Sequence, residues 1–418
     1  MESIVLHTTH LASNTGSAFW IMVGTILKHT WRIRVKLLNS LKKIRGINMK
    51  IICNKSKLSE AVAAVSRAVL KAASIPSLEG IYMDAKEDAV TMYGYNLEMA
   101  IRTKIEANVQ ESGKACIPAK LLSEIINKMP DKDVSIETEG KEIVRIRSGK
   151  SKYKVTGYKP DEFPELPQPS CEHSISIPNN TLKSMIRQTI FAVAKSGAKP
   201  IHTGSLFEIG DGKIHMVGVD GYRLAIREET VKCDEQDLHF VVPGNTLLEA
   251  SRLIPDNDKP CSITIGDRHA MFALENYTII SRLLDGQFLD WRAALPKNSA
   301  QTAVVSTNDL MASVQRVALI ITDALKSPVR CLFENNSVSL SSRNVTGAAD
   351  DQCDIEYSGD PLEIGFNDRY LLDALQNTDC DEVRLKLNGP LSPLLISPMA
   401  GSSFLFVVLP VRLNGDNA

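Results

Sequence analysis

Residues that could do chemistry are plentiful in this chain of 418, but they are not organised into a known reactive pattern. Ser-x-x-Lys spacings occur, among them Ser151-Lys152-Tyr153-Lys154 and Ser196-Gly197-Ala198-Lys199. In serine acyl enzymes such a lysine sits one helical turn from its nucleophile. A short pattern with two fixed positions arises readily by chance, and the Ser-Asp-Asn and Lys-Thr-Gly segments that complete that chemistry are absent. There is no Walker A, GxGxxG, GxSxG or HExxH run. The carboxylates lack metal-ligand spacing. The eight cysteines include no CxxC pair and read as reduced thiols of a cytoplasmic protein. The expectation is a chain without catalytic residues, cofactor or metal.

What remains is the chemistry of charge. The formal net charge is -1, but residues 1–48 carry +6, from Lys28, Arg32, Arg34, Lys36, Lys42, Lys43 and Arg45 against Glu2, which leaves -7 on the other 370. A body of that sign binds nucleic acid only if its positive charge is gathered on one surface. Basic residues do gather on helix-like segments: Lys57, Arg67 and Lys71; Lys120 and Lys128; Lys183, Arg187, Lys195 and Lys199; Arg252; and Arg316 and Arg369, the last two diluted by Asp309, Asp368 and Asp373. Such side chains suit mobile phosphate contacts that read no sequence. Equally, they suit plain solvation.

The elements that must position these charges repeat. Asn96, Asp220 and Asn344 each begin a turn and are 124 residues apart. In the middle copy, Val219-Asp220-Gly221-Tyr222-Arg223-Leu224-Ala225-Ile226 reads as a tight turn between two strands. Each copy opens with a strand and a helix, near Ser56–Val69, Asn180–Val193 and Asn308–Ile320, each after a Ser, Asn or Thr that can cap it. A second helix follows Ile117-Pro118, Val242-Pro243 and Ile364-Gly365-Phe366-Asn367. Three α+β units with six helices are expected, with boundaries 49–168, 169–297 and 298–413 and a tail over 414–418. Repeating head-to-tail interfaces close into a ring when the rotation per step divides a full turn. Three units could close alone, or as a dimer with six, and the sequence does not choose. Residues 1–48 do not fit the repeat and are expected to be a start-site artefact or a disordered leader before Met49. The longest apolar run, 18–27, is shorter than the roughly 20 residues that span a bilayer.

Beyond this pattern, several segments resemble the bacterial DNA polymerase III β subunit, the sliding-clamp family. Met49-Lys50-Ile51, Ser74-Ile75-Pro76, Asn96-Leu97-Glu98-Met99 and Ile117-Pro118-Ala119-Lys120 are similar to its first domain, with Arg147–Tyr153. Val219–Ala225, Leu284-Asp285-Gly286-Gln287-Phe288 and Leu295-Pro296-Lys297-Asn298 are similar to its middle domain. Ile364–Asn367 and the ending Leu409-Pro410-Val411-Arg412-Leu413 are similar to its last. The order and spacing of these segments over about residues 49–413 carry the resemblance more than any one of them.

The resemblance implies a head-to-tail homodimeric ring around double-stranded DNA, helices inward and sheets outward. It implies a processivity factor that tethers the replicative polymerase catalytic subunit, that meets the clamp loader and repair or translesion polymerases, and that does no chemistry itself. The twelve basic residues above then face DNA. Partner peptides enter a pocket walled by Val219, Gly221, Tyr222, Arg223, Leu224, Leu289, Asn367, Tyr370, Leu391 and Pro393, and by the tail Val407, Val408, Leu409, Pro410, Val411, Arg412 and Leu413. A subunit seam joins Tyr153 and Val155 to Leu319 and Ile320, with Lys150 and Lys152 facing acids such as Asp350 or Asp351. Ala72, Gly244-Asn245, His202, Leu289 and Ala293 depart from the family pattern, and the aromatic residues usual near Lys199-Pro200-Ile201 are missing. The alternative is a triplicated protein-interaction scaffold that binds no DNA.

Overall fold

The computed structural model describes residues 48–413 apart from Asp131, Cys171, Glu172, Ala198, residues 232–236, Lys297, Asn298 and residues 323–326. The expected leader, except for Asn48, and the tail at 414–418 therefore lie outside the described residues. Contacts divide the chain into two units. One holds residues up to Gly94 together with Lys104–Pro164, and the other holds Tyr95–Thr103 and the chain from Glu165 onward.

Six α-helices are present among the described residues: α1 (Lys55–Val65), α2 (Ala119–Lys128), α3 (Asn179–Ile190), α4 (Gly244–Leu253), α5 (Thr307–Ala318) and α6 (Asp368–Gln376). Every described strand pairing is antiparallel, and none of the helices is long and apolar enough to cross a membrane. The apolar stripes expected from helical spacing point inward. Leu58, Val62 and Val65 are buried on α1, Leu182 and Ile186 on α3, and Leu310, Val314 and Val317 on α5.

The expected helix ends are corrected. The first helix of each copy stops short of Val69, Val193 and Ile320, and α1 tightens into a 3-10 turn at Ser66–Ala68. Side-chain caps hold only half of the helix starts. Asn54 accepts the Ser56 N–H at 2.9 Å, Ser306 accepts from Asp309 at 3.3 Å, and Asn367 accepts from Tyr370 at 3.2 Å. α2, α3 and α4 instead follow Pro118, Pro178 and Pro243, with no side-chain cap. A proline favours an extended conformation in the residue before it and stops a helix from starting earlier. Asn179, expected as a cap, is the first residue of α3. It is tied down by its N–H to the Lys259 carbonyl and by its side-chain amide to Asn257, each at 2.9 Å.

The 124-residue period has a physical basis in the turns. Asn96 Oδ1 accepts the Glu98 and Met99 N–H groups at 3.0 and 2.7 Å, and Asp220 Oδ1 accepts those of Tyr222 and Arg223 at 2.9 and 3.0 Å. The residue after each is left-handed, Leu97 at φ 73° and Gly221 at φ 91°. The third copy keeps the Asx contact, Asn344 Oδ1 to the Thr346 N–H at 2.8 Å, but moves its positive φ to Gly347. A second repeat lies beneath the turns. A Cβ on Gly94 would lie 2.0 Å from the Val65 carbonyl oxygen, and one on Gly218 would lie 2.3 Å from that of Thr189. These glycines let the ends of α1 and α3 sit directly on a strand. At the matching third position stands Ser342, wholly buried, its hydroxyl without a partner among the described residues.

Within the second unit a nine-stranded sheet runs across the middle and last copies. Strand Arg223–Thr230 pairs with the closing strand Phe404–Val408, in register from Arg223 with Val408 to Arg227 with Phe404. The core follows the sheet. Ala192 and Ala225 of the middle copy pack in one cluster with Phe366, Phe404, Phe406 and Val408. Gly218→Ala is expected to cost about 2–4 kcal/mol, because the helix carbonyl must move. Gly221→Ala is expected to cost only about 1 kcal/mol, for the left-handed backbone, since open space surrounds that position. Urea unfolding of both variants checks the order.

Candidate partner-binding site and nucleic-acid face

The turn at Asp220 and the start of α6 build one site within the second unit. The Asp220 carboxylate holds the turn through one oxygen and accepts Arg223 Nε on the other at 3.0 Å. Arg223 reaches on to Asp373 of α6 through Nη1 at 2.5 Å. Its guanidinium lies over Tyr370, 4.6 Å from the ring centre, and 5.5 Å from the ring of Phe191. Tyr370 in turn stacks on Tyr222, with centroids 5.8 Å apart and planes 21° off parallel. The Arg223 side chain is only 9% exposed, so the guanidinium is fixed between two carboxylates and two aromatic faces. Burial first, and the Asp220 carboxylate second, push the Tyr370 hydroxyl above its ordinary pKa.

Several of the apolar residues expected in the pocket wall are exposed. Tyr222 and Leu391 are 60% and 61% exposed, and Leu289, Leu409 and Val411 are also exposed. The sheet ends at Val408. The Leu409 N–H still reaches the Tyr222 carbonyl at 2.9 Å, and that of Val411 reaches Gly365 at 2.7 Å. The tail is thereby laid beside Tyr222, and Leu413 lies so close to Gly365 that a Cβ there would come within 2.5 Å of it. Large apolar side chains exposed together mark an interaction surface.

Not every expected wall residue is at the surface. Val219, Leu224 and Val407 are buried in a cluster with Ile201, Leu206 and Trp291, and Val408 is wholly buried in the core of the last copy. Val407 and Val408 point to opposite faces of the sheet, and both faces are covered, so neither is a wall of the site. Asn367 spends its side chain capping α6. Gly221 and Arg412 are exposed, and Pro393 and Pro410 are half-buried. Sequence reasoning missed Trp291, Phe191 and Asp373 as parts of this site. The first stands in a linker. Asp373 counted only as an acid diluting a basic helix.

The basic residues divide into two kinds. Lys71, Lys120, Lys128, Lys195 and Lys199 are exposed and Lys183 half-exposed, with no acidic partner among the described residues. Others are engaged within the protein. Lys57 meets Glu106 at 2.7 Å, Arg252 meets Glu249 at 2.5 Å, and Arg316 meets Asp351 at 2.5 Å and the Ser313 hydroxyl at 2.9 Å. Arg187 is bound to Asp379, which also accepts from Ser184 and Gln188. That carboxylate ties α3 to the last copy. Arg67 and Arg369 are exposed on their helical segments.

At the expected seam, Tyr153 is exposed on an edge strand, Leu319 is 83% exposed, and Lys150 and Lys152 are exposed. Val155 is corrected to a buried position in its own unit, and Ile320 is half-buried with its carbonyl bound by Asn344. Asp351 is already taken by Arg316, whereas Asp350 is exposed, with Arg343 3.9 Å away.

The motif at Ser151 does not form a site. Ser151 and Lys154 lie on the strand Ser151–Thr156, where residues three apart point to opposite faces. Cys53, Cys116, Cys261 and Cys331 have thiols pushed up to about 12, mainly by burial, which makes them poor nucleophiles.

The comparisons with known proteins agree in order along the chain. Models of the DNA polymerase III beta subunit match in three parts, the N-terminal domain at residues 49–167, the central domain at 176–290 and the C-terminal domain at 292–412. The beta sliding clamp of Bacillus subtilis is 30% identical over 376 residues, covering 87% of this chain and all of the relative. The chain belongs to the DNA polymerase III beta subunit family. A crystal structure of a beta subunit from Eubacterium rectale is 33% identical with a TM-score of 0.83, and one of the Bacillus subtilis sliding clamp is 30% identical with a TM-score of 0.85. They cover 87% and 88% of this chain, and all of each solved chain is matched. Sliding clamps of this family are processivity factors and not themselves catalytic, and a dimeric ring of three tandem domains per chain is characteristic of them.

His202, one of the departures from the family pattern, packs edge-on against Phe288, with ring centroids 5.4 Å apart. Burial first and Lys199 second hold its pKa below the ordinary value, as burial, Arg282 and Arg268 do for His269. A lowered folded pKa means that the unfolded chain takes up the proton first. Stability is then intact above the ordinary histidine range and declines as the pH falls from there toward the lowered folded values. Thermal unfolding at about pH 7.5 and 5.5 is expected to show that loss, and His202→Gln to lose less than the unaltered protein.

Proposed function

We propose that this chain acts as the clamp its family implies: two copies close head to tail around duplex DNA, and the pocket beside Tyr222 tethers the replicative polymerase. The observation that carries this reading is the tail. It leaves the shared sheet at Val408 and lays the exposed Leu409 against the Tyr222 turn and the exposed Val411 against Gly365. An extended peptide would find there an apolar surface with a fixed polar floor, which is what linear-motif recognition requires. The clamp loader and repair or translesion polymerases are the further partners of this reading, and the cytoplasm is its compartment. The three clamp domains are taken as 49–168, 169–297 and 298–413.

For DNA, the reading favours the lysines that show no acidic partner among the described residues: Lys71, Lys120, Lys128, Lys183, Lys195 and Lys199. A clamp that slides needs contacts of this mobile, unspecific kind. Arg67 and Arg369 belong to the same proposed face. Lys57, Arg187, Arg252 and Arg316 would have to leave their carboxylates to join it. For the dimer, the reading pairs two edge strands. Ser151–Thr156 carries Lys152 and Lys154 and follows Lys150, and Gly347–Asp354 carries Asp350, Asp351 and Asp354. Both lie at the edge of their sheets, and continuing one sheet into the other would cover unpaired backbone groups. Tyr153 and Leu319 would supply apolar contact beside the ladder.

Deleting Leu409–Leu413 is expected to abolish stimulation of the polymerase while sedimentation still shows the dimer; loss of the dimer would make the tail structural. Reversing Lys150 and Lys152 to Glu is expected to weaken dimerisation by at least tenfold at low salt, and by less at about 0.5 M salt, where charges are screened. A dimer indifferent to that reversal would move the seam elsewhere.

A further inference from the structure

Of the four basic helix residues tied to a carboxylate, Lys57, Arg252 and Arg316 find it within their own copy. Arg187, on α3 of the middle copy, finds it in the last, at Asp379 beyond the end of α6. An isolated pair at the surface opens readily, because solvent screens it and holding two side chains together loses entropy. Asp379 is not isolated. Its Oδ2 also accepts Gln188 Nε2 at 3.0 Å and the Ser184 hydroxyl at 3.3 Å. Gln188 is only 1% exposed, and its Oε1 has no partner among the described residues. Moving the carboxylate would leave a buried amide donor unpaired as well, which is strongly unfavourable. The loop that carries Asp379 is anchored too. Thr307 donates its N–H to the Asp381 carbonyl and its hydroxyl to that of Cys380, each at 2.8 Å. Asp379 is therefore a fixed acceptor, and Arg187 must leave it to reach anything else.

Arg187 follows Lys183 by one helical turn, and they are the two basic residues of α3. Lys183 shows no acidic partner among the described residues and belongs to the face proposed for DNA. The two would hold a phosphate differently. An ammonium is a compact point charge on a flexible stem, whereas a guanidinium grips phosphate through two parallel N–H bonds. We propose that Asp379 masks Arg187 from DNA: it occupies the one guanidinium of α3, so that this helix meets the duplex through lysine and holds it without a directional grip. The inference rests on the reading that the chain surrounds duplex DNA. Asp379 is a positioning residue, acting through Arg187, and it subtracts a contact that would slow sliding.

Fluorescence anisotropy of a short, labelled linear duplex, titrated with the full chain over salt from about 50 to 200 mM, tests this. Each phosphate neutralised adds about 0.9 to the slope of log affinity against log salt. Asp379→Asn removes the charge and keeps an acceptor for Gln188. It is expected to steepen the slope by about 0.9, so that this fourfold rise in salt weakens it about 3.5-fold more than the unaltered protein. The double variant, Arg187→Gln with Asp379→Asn, has the net charge of the unaltered protein and is expected to keep its slope. If Arg187 already grips phosphate, Asp379→Asn leaves the slope unchanged and the double variant makes it shallower by about 0.9. Either result overturns the inference. A merely structural Asp379 would lower the unfolding temperature of the variant without steepening the slope, which overturns it too. Asp379→Ser removes the charge with a different side chain and gives the same reading if the asparagine variant does not fold. If no form binds the duplex at about 50 mM salt, the proposed DNA face fails and this inference with it. Binding with an unsteepened slope overturns the inference alone.

Discussion

The backbone ladder between Arg223–Thr230 and Phe404–Val408 is the constraint on which the rest of the second unit depends. Five residues of the last strand add to the middle copy's sheet, and everything at the candidate site hangs from that junction. The ladder brings the end of the chain beside a turn almost two hundred residues upstream of it. It also orders the core, because Ala225 on one strand and Phe404 and Phe406 on the other pack into a single cluster. A sheet continued across two copies fixes their relation more firmly than side-chain contacts would, since a slip by one residue would exchange the side chains packed on its two faces. The exposed tail is placed by the same register that buries Val407 and Val408.

Arg223 converts that junction into chemistry. It begins the strand that forms the ladder, and its side chain crosses to α6 of the last copy. Asp220, Asp373, Tyr370 and Phe191 hold it from four sides. An ion pair in such a place contributes less net stability than its geometry suggests, because desolvation offsets much of the attraction. Its stronger effect is on position. The guanidinium orients Tyr370, which orients Tyr222, and an apolar ligand would meet a surface already formed. Asp379 does a similar job on the other side of the middle copy, gathering Ser184, Arg187 and Gln188 of α3.

Much of this was legible in the sequence. The 124-residue spacing of Asn96 and Asp220 corresponds to a shared side-chain-to-backbone turn, and the inward stripes of α1, α3 and α5 follow from apolar spacing alone. The limits are physical. Three helix starts follow prolines rather than side-chain caps, because a proline ends the preceding strand by its own geometry. The fate of Arg187 and the second partner of Arg223 were hidden because those partners are remote. Arg187 and Asp379 are 192 residues apart, and Arg223 and Asp373 are 150. Family resemblance gave the wall residues by position but not their depth, so Val219, Leu224, Val407 and Val408 are one layer lower than a list of walls suggests.

The central claim is topological: a closed ring holds DNA by surrounding it, not by affinity. The most direct measurement loads the protein onto a nicked circular plasmid, removes free protein by gel filtration, and then linearises half of the sample. The account predicts that protein stays with the circle at salt concentrations that abolish simple electrostatic binding, and leaves once the DNA has ends. Equal retention on circular and linear DNA would contradict it.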